Sequence, residues 1–163
     1  MRARRLLLAG LPALVAACGA SGGSVVGVPT GGAPTTGPGG PGYMVHSGTV
    51  KGLGTVLIDG YGLTLYVFLP DDHGGRSRCF GYCATQWPPV TLPPGVTTPV
   101  TGSSIDTALV GTTARGGALQ VTYNGWPLYR WIGDTSAGQA TGQGLRNSGG
   151  LWYVVGDAGQ PVR

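Results

Sequence analysis

The stretch 111-GTTARGGALQVTYNGWPLYRWIGD-134 decides the fold, because the stretch 48-GTVKGLGTVLIDGYGLTLYVFLPD-71 repeats its pattern. The two segments align without a gap at a constant offset of 63, and seven of the 24 positions are identical. The identical residues of the first copy are Gly48, Thr49, Gly54, Gly62, Leu65, Tyr66 and Asp71. Such self-similarity indicates duplication of one supersecondary unit. We therefore expect two repeats, at about residues 48–90 and 111–157.

Each repeat has the pattern of a β-hairpin. Asp59-Gly60 and Asn124-Gly125 lie between segments rich in β-branched and aromatic residues, and such dipeptides supply the positive φ that tight turns need. No later segment has a sustained helical period. We expect an all-β domain at 43–163, in which the hairpin units form a sandwich or barrel-like sheet with little or no helix. Its core should contain Leu65, Phe68, Trp87, Leu128, Trp131, Trp152 and Val154.

The N-terminus has the pattern of a bacterial lipoprotein signal peptide. Three arginines among the first five residues precede an apolar run at 6–17, which is too short to span a bilayer, and small residues lead into Cys18. We expect residues 1–17 to be removed and Cys18 to carry diacylglyceryl and palmitate. These chains would hold the protein on the extracytoplasmic face of the cell membrane. The alternative is an ordinary secretory signal with release of the product.

Residues 18–42 join the expected lipidated cysteine to the β domain. Positions 19–42 contain ten glycines and four prolines with Ser, Thr, Ala and Val, which is the composition of a disordered linker. A flexible chain of this length has a root-mean-square reach of about 27 Å. Without the signal peptide, seven basic residues face six aspartates, so the net charge is only about +1. This balance argues against nucleic acid as a partner, since nucleic-acid recognition needs clustered Lys and Arg.

Several motifs agree in order and spacing with one known family. They are Leu65-Tyr66-Val67-Phe68 with Asp71, Cys79-x3-Cys83-Ala84-x2-Trp87-Pro88-Pro89, and Val121-Thr122-Tyr123-Asn124-Gly125-x-Pro127-Leu128-Tyr129 with Asp134. The chain resembles the bacterial secreted lipoprotein repeat family named for its Y-x4-D motif. The resemblance covers nearly the whole folded domain and implies a secreted repeat of unknown function, with no assigned active site.

The Tyr-x4-Asp pairs, Tyr66 with Asp71 and Tyr129 with Asp134, allow two interpretations. Each aspartate falls after a strand, where a carboxylate accepts backbone N–H bonds, and each tyrosine can bury its ring and direct its hydroxyl to an acceptor. The first interpretation is a structural turn lock used twice. The second brings Asp71 and Asp134 together across a twofold axis as a cation site or catalytic pair. Asp71-Asp72-His73 does not match an aspartic protease motif, so we favour the turn lock.

Cys79 and Cys83 are the most reactive of the candidate site residues in the sequence. Outside the cytoplasm, cysteines four residues apart are expected to form a disulfide if their Cα separation allows. The alternative is a reduced pair that handles redox equivalents or binds Cu(I), with His73, or with Met44 and His46, as further ligands. We favour the disulfide and expect no metal or other cofactor.

The remaining candidate surface lies at the second hairpin turn. An exposed Trp126 beside Asn124 and Arg130 could stack on a sugar ring or contact an envelope protein. The alternative is that Trp126 folds back over the sheet. No catalytic triad, phosphate-binding loop or dinucleotide fingerprint is present. We therefore expect a non-enzymatic envelope binding module, with redox or copper handling as the second hypothesis.

Overall fold

The computed structural model describes residues 41–71, 73–102 and 104–163. The predicted signal peptide, the lipidation of Cys18 and nearly all of the predicted linker lie outside these residues. Among the described residues, no helix is long and apolar enough to cross a membrane.

Short strands form most of the regular structure in the described residues, which confirms the all-β prediction. The strands are β1 Met44–Val50, β2 Gly54–Asp59, β3 Tyr66–Phe68, β4 Val100–Thr101, β5 Val110–Arg115, β6 Ala118–Tyr123, β7 Trp126–Pro127, β8 Arg146–Asn147 and β9 Gly150–Val154. A five-residue helix, α1 Tyr82–Gln86, and one 3-10 turn, Thr107–Leu109, interrupt them. This agrees with the expectation of little or no helix.

The strands form three small sheets, with the orders β2-β1-β4, β3-β9-β8 and β5-β6-β7. The longest pairings are the antiparallel hairpins β1-β2 and β5-β6, which turn at 51–53 and at Gly116-Gly117. The predicted turn at Asn124-Gly125 joins β6 to β7, and both residues have positive φ. The described strands do not close into a barrel.

The gapless alignment of the two repeats does not hold throughout the hairpins. Thr64 forms an isolated bridge with Ile58, whereas Pro127, which aligns with Thr64, pairs with Thr122. Ile58 and Thr122 are 64 positions apart, whereas Thr64 and Pro127 are 63 positions apart. The turn at Asp59 is therefore one residue longer than the turn at Asn124. From Gly62 and Gly125 onward, residues that are 63 positions apart occupy equivalent places in the two repeats.

Two hydrophobic clusters form the core. The first contains Val45, Leu57, Leu65, Val67, Val90, Leu92, Val121, Tyr123, Leu128 and Val155. The second contains Val50, Val56, Tyr66, Phe68, Cys79, Trp87, Tyr129, Trp152 and Val154. Of the predicted core residues, only Trp131 is half-buried, and it packs against the second cluster.

Candidate functional site

The two repeats meet at the tyrosines of their signature motifs. The backbone N–H of Tyr66 donates to the carbonyl oxygen of Tyr129 at 2.9 Å, and the N–H of Tyr129 donates to the carbonyl of Tyr66 at 3.0 Å. This reciprocal antiparallel bridge relates two equivalent residues. It therefore marks a local pseudo-twofold axis between the repeats.

The tyrosine side chains cross this axis. The Tyr66 hydroxyl donates to Asp134 Oδ2 at 2.5 Å, and the Tyr129 hydroxyl donates to Asp71 Oδ2 at 2.7 Å. Each tyrosine thus binds the aspartate of the other repeat, not the one in its own motif. The sequence predicted an acceptor for each hydroxyl, but the exchange of partners results from tertiary structure.

The second oxygen of each carboxylate holds the loop that follows its strand. Asp71 Oδ1 accepts from the backbone N–H of Arg78 at 2.7 Å. Asp134 Oδ1 accepts from the N–H of Thr141 at 2.8 Å and from its hydroxyl at 2.7 Å. In both repeats the N–H donor lies seven residues beyond the aspartate. The carboxylates thus combine the repeat interface and the loop conformation in one hydrogen-bond network.

Burial sets the protonation of these groups. It raises the pKa of Asp71 to about 6, an effect opposed by the hydrogen bonds from Tyr129 and Arg78 and by the charge of Arg115. Burial also raises the pKa of Tyr66 and of Tyr129 well above the usual range, and the neighbouring aspartate raises each further. Both phenols consequently keep the proton that they donate.

Four aromatic rings stack through the same axis. Trp87 and Trp152 lie face to face in the middle, with ring centroids 3.9 Å apart and planes within 1° of parallel. Phe68 stacks on Trp152 and Trp131 packs on Trp87 at a tilt of 32°, each with ring centroids 4.3 Å apart. Phe68 and Trp131 are equivalent positions of the two repeats, so the stack repeats the pseudo-twofold relation of the tyrosines. Trp87, Trp152 and Phe68 are buried, and aromatic rings of this size bury a large apolar area at the repeat interface.

Loop one, which we define as residues 70–86, is closed by a disulfide. Cys79 and Cys83 are joined with their Cα atoms 5.2 Å apart. Arg115 reaches this loop from β5: it donates to the hydroxyl of Ser77 and to the carbonyl of Cys79. The Ser77 hydroxyl lies 2.7 Å from the Tyr129 hydroxyl, so Arg115 connects to the crossed pair of Tyr129 and Asp71.

Loop one also exposes two aromatic side chains. Phe80 is 56% exposed and Tyr82 is 75% exposed. The guanidinium carbon of Arg115 lies 4.3 Å from the centre of the Phe80 ring. Sequence reasoning did not single out these residues, although aromatic residues enclosed by two cysteines were a visible signal. Arg115 could not be assigned from sequence, because its partners lie 36 and 38 positions away.

The three predicted ligand-contact residues are engaged with their own chain. Arg130 pairs with Asp59, with Nε 2.5 Å from Oδ2. Asn124 donates from Nδ2 to the carbonyl of Gly159 at 3.1 Å. Trp126 is half-buried against the first cluster and lies edge-on to His73, with ring centroids 5.2 Å apart. Trp126 thus folds back over the sheet, as the alternative interpretation has it.

The residues considered for copper do not form a joint ligand set. Within the described ranges, no three of His, Cys, Asp and Glu lie together in a way that could hold a metal ion. His46 Nε2 lies 2.9 Å from the carbonyl of Asp59. His73 is exposed in loop one, and Met44 lies on β1.

Comparison with known proteins identifies the family. A family profile described as a secreted repeat of unknown function matches the chain twice, at residues 49–91 and 112–156. The two matches together cover more than half of the chain. A search of curated proteins and a search of solved structures gave no match. The chain therefore belongs to the family of secreted repeats of unknown function.

Proposed function

We propose that this protein is a non-catalytic binding module of the bacterial envelope, anchored to the extracytoplasmic face of the cell membrane by lipid on Cys18. Membership of a secreted family agrees with an extracytoplasmic location. The anchor is supported by the sequence around Cys18, where small residues end an apolar run of the right length.

Support for a non-catalytic role comes from the way the signature residues are used. Both tyrosine hydroxyls and both aspartates are buried, and each makes hydrogen bonds inside the fold. A general acid or base must instead reach a substrate proton. The motif shared by the two repeats is thus a scaffold that fixes the positions of the loops.

One observation carries the binding role: a covalently closed loop presents two exposed aromatic rings. Aromatic side chains are enriched in protein recognition surfaces, because they offer large contact area at a low cost in conformational entropy. Phe80 and Tyr82 offer exposed aromatic area for contact. The Cys79–Cys83 disulfide restrains the backbone that carries them, which keeps the entropy cost of binding low. Loop one is therefore the proposed contact surface.

Site-specific photo-cross-linking in intact cells tests this assignment. The cross-linking amino acid p-benzoylphenylalanine is placed at Phe80 or, in the matched control, at Ala137, an exposed position between Asp134 and Thr141 in the second repeat. We expect discrete adducts from position 80 and none above background from position 137. Equal or absent cross-linking at both positions would contradict the assignment. Mass spectrometry of the native N-terminus tests the anchor separately.

The second candidate, a redox or copper-handling lipoprotein, requires the Cys79–Cys83 bond to open. The favouring observation is that Cys83 is partly exposed, which gives a reductant access to the bond. Thiol counting and metal analysis of protein isolated from the envelope distinguish the two roles. Free thiols at both Cys79 and Cys83, or stoichiometric copper, would favour the second role over the binding module.

A further inference from the structure

We propose that loop one docks on anionic phospholipid headgroups of the membrane that carries the anchor. This inference rests on the proposed function and names the partner class of its contact surface. Three features support the docking: apolar side chains at loop one, arginines beside them, and the point where the tether joins the fold.

The apolar feature extends beyond the disulfide. Ile132 is 49% exposed, and its backbone N–H donates at 3.2 Å to the carbonyl of Gln86, the last residue of α1. Ile132 thus adds an aliphatic side chain next to the helix that begins at Tyr82. Ile132 has neither a polar atom nor an aromatic ring with which to contact a hydroxyl-rich glycan. Apolar side chains with a tyrosine are instead suited to the boundary between headgroups and acyl chains.

The charge around loop one has the sign that anionic lipids require. Loop one contains Asp71 and Asp72 as well as Arg76 and Arg78; Asp71 is buried, whereas both arginines are exposed, and the next acidic residue in the sequence is Asp106. Arg115 adds a third guanidinium at the Phe80 ring. Arginines near an anionic leaflet strengthen membrane binding by about fivefold each. Loop one and Arg115 together carry three arginines and two aspartates, and because Asp71 is buried, the charge next to the exposed aromatic residues is positive.

The tether joins the fold close to this surface. The carbonyl of Gly42 accepts a hydrogen bond from the Arg130 guanidinium. The backbone N–H of Arg130 donates to Pro88 at 2.9 Å, two residues after α1 ends. Gly42, near the start of the described residues, is thus linked through Arg130 to the segment that follows α1. The composition of residues 19–42 predicts a reach of about 27 Å, so the expected lipid anchor would hold loop one at a high effective concentration near the headgroups.

Fluorescence quenching by lipid measures the docking directly. An environment-sensitive fluorescent amino acid is placed at Tyr82 or, as the matched control, at Ala137, in the full chain processed by its host. The protein is reconstituted into vesicles of phosphatidylcholine, with or without phosphatidylglycerol, that contain acyl-chain-brominated lipid. Flotation of the protein with the vesicles reports the anchor, and quenching reports the contact of loop one.

We expect quenching at position 82 only in the anionic vesicles, with none at position 137, and reversal by salt. Arg76→Gln should weaken the docking equilibrium about fivefold. Flotation without quenching at position 82 would overturn the docking while leaving the anchor intact. Failure to float would instead overturn the anchor. The docking is then tested by measuring the quenching at position 82 with lipid in saturating amount. A spectral change with isolated cell-wall glycan, and none with vesicles, would also overturn the proposal.

Discussion

Loop one and loop two, the latter defined as residues 133–149, follow the equivalent tyrosines Tyr66 and Tyr129 and are held by different chemistry. Loop one is closed by the Cys79–Cys83 disulfide and by Arg115. In loop two, the position equivalent to Cys79 is Gly142, whose backbone N–H donates to the Tyr66 hydroxyl at 3.2 Å. A Cβ atom on Gly142 would lie 2.8 Å from Trp87 and 2.9 Å from Tyr66. Close backbone packing thus replaces the covalent bond.

This comparison distinguishes the features that both repeats have from the features that only one repeat has. The tyrosine–aspartate bonds and the aromatic stack obey the pseudo-twofold relation, so they serve the fold. The disulfide and the exposed Phe80 and Tyr82 have no counterpart in loop two, where Gln143 and Leu145 occupy the aligned positions. The features that loop one has and loop two lacks are therefore the best candidates for a function specific to this chain.

The largest expected effect tests the shared part. Trp87→Ala and Trp152→Ala should each lower the free energy of unfolding by about 3 to 5 kcal/mol, because each leaves a large cavity in the second cluster. Urea unfolding measures both. We expect similar losses for this equivalent pair and a smaller loss for the half-buried Trp131→Ala. A large loss at only one of the central tryptophans would break the twofold relation.

The second prediction concerns pH. Since the folded-state pKa of Asp71 is about 6, above the ordinary value of 3.8, the folded protein holds this proton more tightly than the unfolded chain. Its contribution to stability is complete below about pH 4 and is lost as pH rises through about 6, a decrease of about 3 kcal/mol. Asp71→Asn should remove this part of the pH dependence. Parallel stability curves for the two proteins between pH 4 and 7 would refute the assignment.

The third prediction tests the difference between the loops. Replacing both Cys79 and Cys83 with serine should cost about 2 kcal/mol, because a ring of this size restrains the unfolded chain only modestly. Hydrogen exchange should show the loss of protection in loop one and unchanged protection in loop two. Equal loss in both loops would show that the disulfide supports the whole fold.

The smallest effect concerns the corresponding position of loop two. Gly142→Ala should cost roughly 1 to 2 kcal/mol, because the added methyl group must displace the rings of Trp87 and Tyr66. Gly111→Ala is the matched control: its Cβ would meet only the rotatable hydroxyl of Thr122, at 2.9 Å. Thermal unfolding of both variants gives the comparison. Equal stability of the two variants would argue against close packing at Gly142.

Part of this architecture was predictable from sequence because it depends on local chemistry. Asn124-Gly125 specifies a tight turn, and the duplicated Tyr-x4-Asp spacing predicts buried hydroxyls with acceptors nearby. The exchange of acceptors was not predictable, since Tyr66 and Asp134 are 68 positions apart and the local pattern is equally compatible with Asp71. Trp126 is half-buried for a similar reason: its neighbours come from distant segments, which a turn motif does not reveal.

A double-mutant cycle on unfolding free energy tests the central claim, the crossed pairing of the repeats. Tyr66→Phe is combined with Asp134→Asn in one cycle and with Asp71→Asn in the other. We expect a coupling energy of about 1 kcal/mol or more between Tyr66 and Asp134, and less than about 0.5 kcal/mol between Tyr66 and Asp71. Stronger coupling of Tyr66 with Asp71, the aspartate of its own motif, would rule out the crossed pairing.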